Sequence, residues 1–79
     1  MTPDDAKAVV DTVARKHKTF RHIETVMTKN GCNVTFADLP DLDPRTISSW
    51  FDKAGVVVLY VGRSYKFDGY VMHAEIKSA

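Results

Sequence analysis

Seventy-nine residues, 44 % hydrophobic and 27 % charged with a net charge of +1, describe one ordinary globular domain and exclude a disordered chain or a multidomain enzyme. A domain this small buries only roughly 60 % of its unfolded surface, which leaves little core from which to carve a deep cleft. No apolar run approaches the ~18 residues of a membrane span, and no membrane association is expected.

The opening MTPDDAKAVV has neither the basic start nor the long apolar stretch of a secretory signal. The single cysteine, Cys32, has no internal disulfide partner, so a reducing, cytoplasmic setting is expected. Thr2 is a candidate N-cap, Pro3 suits the first helical position, and Asp4 and Asp5 face the positive end of the helix dipole. Ala6, Val9, Val10 and Val13 follow at helical spacing, which predicts a helix over 3–17. Phe20, Ile23, Val26 and Met27 continue a similar spacing and predict a second helix over 20–30, closed by Asn30-Gly31. One long helix through both is the alternative.

Val34 suits a short strand or extended link. Thr35 with Asp38 has the form of a capping box and starts a very short helix that Pro40 must stop. Asp43 as N-cap, Pro44 at the first position and Gly55 past the end bound a helix over 44–54. On it Ile47, Trp50, Phe51 and Ala54 face inward. VVVLYV is a strand by its β-branched and aromatic content, Gly62-Arg63-Ser64 a turn, and YKFDGYVM the returning strand. A turn at Asp68-Gly69 is the alternative, and the tail AEIKSA is expected to fray.

The stretch VTFADLPDLDPRTISSWFDKAGVVVLYVGRSYKF carries the order short helix, turn, longer helix, glycine, hairpin. This order resembles the winged-helix family of DNA-binding domains. The resemblance implies an α+β winged-helix fold with three to four helices followed by a β-hairpin wing. Residues 1–18 would be a helical extension, 19–55 the helix-turn-helix core, 56–73 the wing and 74–79 a tail. It also implies a small transcriptional regulator binding duplex DNA. Arg45, Thr46, Ser48, Ser49 and Lys53 would face the major groove, Arg63 and Ser64 the wing contact, with Tyr65 and Lys66 on the returning strand.

The residues support parts of this directly. Arg45, Ser49 and Lys53 form one helical stripe, suited to bases and phosphates, though a solvated face has the same composition. The run RKHKTFRH gathers Arg15, Lys16, Lys18 and Arg21 with no acid among them, a candidate phosphate-contacting cluster. Cations near a helix C-terminus are also favourable to the dipole alone. Trp50, Tyr60, Tyr65, Phe67 and Tyr70 are candidates for stacking on unpaired bases, but Trp50 and Phe67 are more readily core. His17, His22, His73 and Cys32 have no metal-binding spacing, and no catalytic motif or cofactor loop is present, so neither an enzyme nor a metalloprotein is expected. A homodimer through Val9, Val10 and Val13 would join paired half-sites. The rival reading is a winged helix that binds protein, since Asp41, Asp43 and Asp52 surround the proposed reading helix.

Overall fold

Residues 1–18, 20–37, 43–63 and 71–79 are described by the computed structural model. In chain order they form α1 (Pro3–His17), β1 (Arg21–Met27), β2 (Cys32–Ala37), α2 (Pro44–Lys53), β3 (Val56–Arg63) and β4 (Val71–Ser78). The four strands make one antiparallel sheet in the order β1-β2-β4-β3. Both helices pack on one face of it, sharing a core with the inward residues of the central strands.

α1 begins as its sequence predicts. The Thr2 hydroxyl accepts from the Asp5 N–H at 3.2 Å and the Asp5 carboxylate accepts from the Thr2 N–H at 3.3 Å, a reciprocal capping box. Ala6, Val10 and Val13 are its buried stripe. α2 starts at Asp43, whose carboxylate accepts from the Arg45 N–H at 2.8 Å, and buries Ile47 and Phe51. Gly55 follows with φ +90°, a conformation that costs a side-chain-bearing residue free energy. Ala54 is exposed, not part of the inward face.

The Asp43 cap makes a pH prediction. The Arg45 N–H, and then its guanidinium, hold this carboxyl below its ordinary value of 3.8. A group with a depressed folded pKa stabilises above its unfolded value, and that contribution is lost as pH falls through the folded one. Thermal melts of Asp43→Asn, which still caps, are therefore expected to lose less stability than wild type below about pH 3.8. Parallel curves through the acid range would mean that the cap carries no such linkage.

The winged-helix architecture is overturned: among the described residues two helices and a four-stranded antiparallel sheet replace three to four helices and a two-stranded wing. The α+β class stands. Neither the helix expected over 20–30 nor the single long helix forms, because residues 21–27 are an edge strand. The ladder to β2 slips between His22 and Glu24, leaving Ile23 as a bulge. Beyond it the side-chain alternation changes phase, so that His22, Thr25 and Met27 share one side. Ile23, Val26 and Met27, whose spacing suggests a helix, therefore share no face: Ile23 is the bulge, and Val26 and Met27 stand opposite Asn33 and Cys32 on opposite sides of the sheet. Asn30-Gly31 lies in the turn between β1 and β2, where the Thr28 N–H donates to the Gly31 carbonyl at 2.9 Å, and does not end a helix.

The short helix expected from Thr35 is likewise absent up to residue 37, and its remainder falls outside the described residues. Thr35 sits in β2, a strand pairing on both sides, and is only 6 % exposed. Cys32, Val34 and Phe36 are fully buried, facing the helices beside Met72, Ala74 and Ile76 of β4. Gly62 and Arg63 are not a turn but strand residues, opposite His73 and Met72. The turn alternative at Asp68-Gly69 lies outside the described residues. The tail does not fray: Ala74 and Ile76 are buried in β4, which runs to Ser78.

The chain is thus two αββ halves, α1-β1-β2 and α2-β3-β4, joined across the antiparallel β2–β4 pair. The halves match in detail. The β1 bulge lies opposite Phe36 and Thr35, and the β3 bulge, at Leu59, lies opposite Ile76 and Glu75. An approximate two-fold axis normal to the sheet, between β2 and β4, relates the two. Among the described residues no helix is long and apolar enough to cross a membrane.

Candidate functional site

The last turn of α1 is Arg15-Lys16-His17, and Lys18 closes it in the left-handed region at φ 56°, ψ 37°, its N–H bonded to the Ala14 carbonyl. Glycine is the usual residue there; a lysine bears a cost of about 1 kcal/mol or more for the crowding of its Cβ. Among the described residues it is the one non-glycine with positive φ. The sharp reversal brings β1 back beside α1. Arg15, Lys18 and Arg21 then surround a shallow concavity of about 550 Å³, floored by Ala14 and Phe20 with Asp11 at its rim.

Asp11 opposes an anion there, but its charge is already engaged. Lys7 donates to it at 2.7 Å, and that bond is the main reason its carboxyl sits below the ordinary value. Burial works the other way, and the charges of Lys7, His22 and Arg15 add to the lowering.

On the other flank of the same helix end lies a second concavity, of about 400 Å³, between α1 and α2. Thr12, Lys16 and His17 line it from α1, and Trp50 and Lys53 from α2. The His17 and Trp50 rings stack at 3.8 Å with 8° between planes, and Phe20 lies 6.4 Å from Trp50. Trp50 is therefore half-buried as a lid on the core, not sealed within it.

The structure thus gathers Arg15, Lys16, Lys18 and Arg21 at one end of α1, where all four are exposed, and adds Lys53 from α2. Lys53 had been assigned by spacing to a stripe with Arg45 and Ser49. The juxtaposition with Lys16 was invisible in the sequence because it depends on how the two helices converge. Arg45, Thr46 and Ser49 are exposed on α2 and Ser48 is partly covered. The Arg45 side chain, 92 % exposed, reaches Asp43 at 3.4 Å. Among the described residues no short helix precedes this one as in a helix-turn-helix, so its docking geometry loses the support of that motif.

Arg63 ends β3, half-buried opposite Met72, and is not on a wing tip. Ser64, Tyr65 and Lys66 lie outside the described residues. Val10 and Val13 are spent in the chain's own core, with Val9 packed against it, and so offer no free stripe to a second copy. Among the described residues no group of three or more histidine, cysteine or acidic side chains is placed to hold a metal ion. Cys32 is buried as a free thiol.

Most acids lie away from the basic end. Asp4 and Asp5 sit at the start of α1, Asp43 at the start of α2, and Glu24 and Glu75 on the sheet face opposite the helices. Among the described residues Asp11, at the rim of the first concavity, and Asp52, beside Lys53, are the exceptions. No family model matches the chain, and neither a characterised protein nor a solved structure matches it.

Proposed function

We propose that this domain binds nucleic acid, in the first place duplex DNA, through the phosphate backbone at the basic end of α1. The observation that carries the reading is the convergence of Arg15, Lys18 and Arg21 on one concavity, with Lys18 held in an unfavourable backbone conformation to be there. A strained residue is kept where its side chain is useful. Lys16 and Lys53 extend the surface across the α1–α2 groove, and the polar stripe of α2 lies beyond Lys53. Five cations clustered in this way neutralise at most about five phosphates, so log K should fall with log salt at a slope no steeper than about −4.5. Contacts of this kind set affinity and orientation, not sequence preference.

The test is fluorescence anisotropy with a labelled mixed-sequence duplex and its single strand over a salt series. Arg15→Glu combined with Arg21→Glu is expected to abolish binding to the duplex with the circular dichroism spectrum retained. Lys18→Gly is expected to separate two effects, raising stability by about 1 kcal/mol while weakening binding several-fold. Equal affinity in the charge-reversed and wild-type proteins would remove the proposal. A protein-binding role draws on a different surface, the uncharged edge of β3.

A further inference from the structure

Among the described residues the sheet has two edge strands, β1 and β3, and they are treated differently. An edge strand presents unpaired N–H and C=O groups to any other strand, and soluble proteins guard such edges with charge, proline or bulges. Both edges carry a bulge at the matching place. Placing one half on the other by these bulges sets Arg21 against Val57, His22 against Val58 and Glu24 against Tyr60. Where β1 has charged or titratable side chains, β3 has apolar and aromatic ones.

From Val56 to Gly62 the sequence VVVLYVG contains no charge and no proline. Leu59 is 42 % exposed and Tyr60 54 %. β1 does expose Val26 and Met27, but at its end, after Arg21 and Glu24. The Tyr60 ring meets His73 edge-on at 5.2 Å and its hydroxyl lies over Gly62, so this side chain flattens along the sheet face and leaves the edge accessible.

We infer that β3 pairs with β3 of a second copy, antiparallel about a two-fold axis near Leu59, to make a continuous eight-stranded sheet. The occupant follows from the edge itself. A partner strand must be as uncharged as this one to avoid burying unpaired charge. The β1 edge of a second copy would set Arg21 and Glu24 against valines and tyrosine, and such head-to-tail pairing would give a ring or an open series in place of a dimer. β3 against itself brings no like charges together before Arg63 and forms a closed dimer. The basic end of α1 is on another part of the surface, so this inference is independent of nucleic-acid binding.

Sedimentation velocity of the full chain over a wide concentration range is the test, with Leu59→Lys and Val26→Lys beside wild type. The expected result is a wild-type dimer, a folded Leu59→Lys monomer and a dimer for Val26→Lys. As a check that does not depend on Leu59→Lys folding, Leu59→Cys should form a disulfide-linked dimer under mild oxidation and Val26→Cys should not. The buried Cys32 takes no part. A wild-type monomer at the highest soluble concentration, a concentration-dependent series of larger oligomers, or a dimer broken by Val26→Lys and not by Leu59→Lys would each overturn the inference.

Discussion

Phe51→Ala is expected to cost the domain a large share of its stability and to bring its urea midpoint far down. Phe51 is fully buried on α2, with ring centroids 5.7 Å from Phe36 and 6.4 Å from Phe20. It ties the second helix to a central strand and to the segment entering β1. Removing a buried phenylalanine side chain costs about 3–5 kcal/mol in transfer and cavity terms. A domain of this size has a total stability of only about 4–12 kcal/mol. Phe51→Leu keeps most of the volume and should remain folded with a lowered urea midpoint. Trp50→Ala, one position earlier, removes a larger ring but from a half-buried place, and is expected to cost less than Phe51→Ala. If urea denaturation ranks the two in the other order, α2 is held to the sheet through its His17 contact, not through the phenylalanine cluster.

The second large effect is expected at Gly31. A methyl group there would run into the Ile76 carbonyl oxygen, with Lys77 Cβ at 2.9 Å and the Ile76 carbonyl carbon at 3.0 Å. The obstacle is the backbone of the neighbouring strand, which cannot rotate away. Gly31→Ala must therefore push the start of β2 off the end of β4, where Cys32 and Ile76 pair, at a cost of about 3 kcal/mol or more. Two other glycines calibrate this. At Gly62 the added carbon meets the Tyr60 hydroxyl at 2.7 Å, the far end of a side chain that can swing, so Gly62→Ala should cost less than about 1 kcal/mol. At Gly55 space is open but φ is +90°, so Gly55→Ala should lose about 1–2 kcal/mol from backbone strain alone. Chemical denaturation of the three variants gives the order, and a mild Gly31→Ala would show that the two strands tolerate separation at that end.

The legible parts of the sequence were those decided within a few residues. Both helices with their caps were readable, because Thr2 with Asp5 and Asp43 with Arg45 satisfy backbone donors two or three positions away. A strand over VVVLYV was readable from its composition. β1 was not, because the Ile23 bulge broke its alternation and left Ile23, Val26 and Met27 at a spacing that suggests a helix. β2 was hidden because Thr35 has the credentials of an N-cap, and nothing local says that a second and third strand will flank it. The β4 tail was dismissed as polar, although Ala74 and Ile76 alternate as an inward-facing strand should. With those strands misread, a short helix from Thr35, a turn, the 44–54 helix and a hairpin together resembled a winged helix-turn-helix. The cationic run 15–21 was visible as a run, but its meeting with Lys53 and Trp50 belongs to the packing of one half on the other.

The duplicated αββ plan also sets the route by which the chain acquires its structure. Each half contains its own antiparallel hairpin, β1 with β2 and β3 with β4, and these ladders join residues close in sequence. The β2–β4 ladder, from Cys32 with Ile76 to Ala37 with Val71, joins residues far apart and closes the largest loop. Short-range ladders form early because little chain entropy is lost in closing them. The halves should therefore gain transient structure separately, and zipping of β2 to β4 should limit the folding rate. Substitutions at Val34 or Ala74 would slow folding, and those at Val26 or Val57 on the outer strands would chiefly speed unfolding.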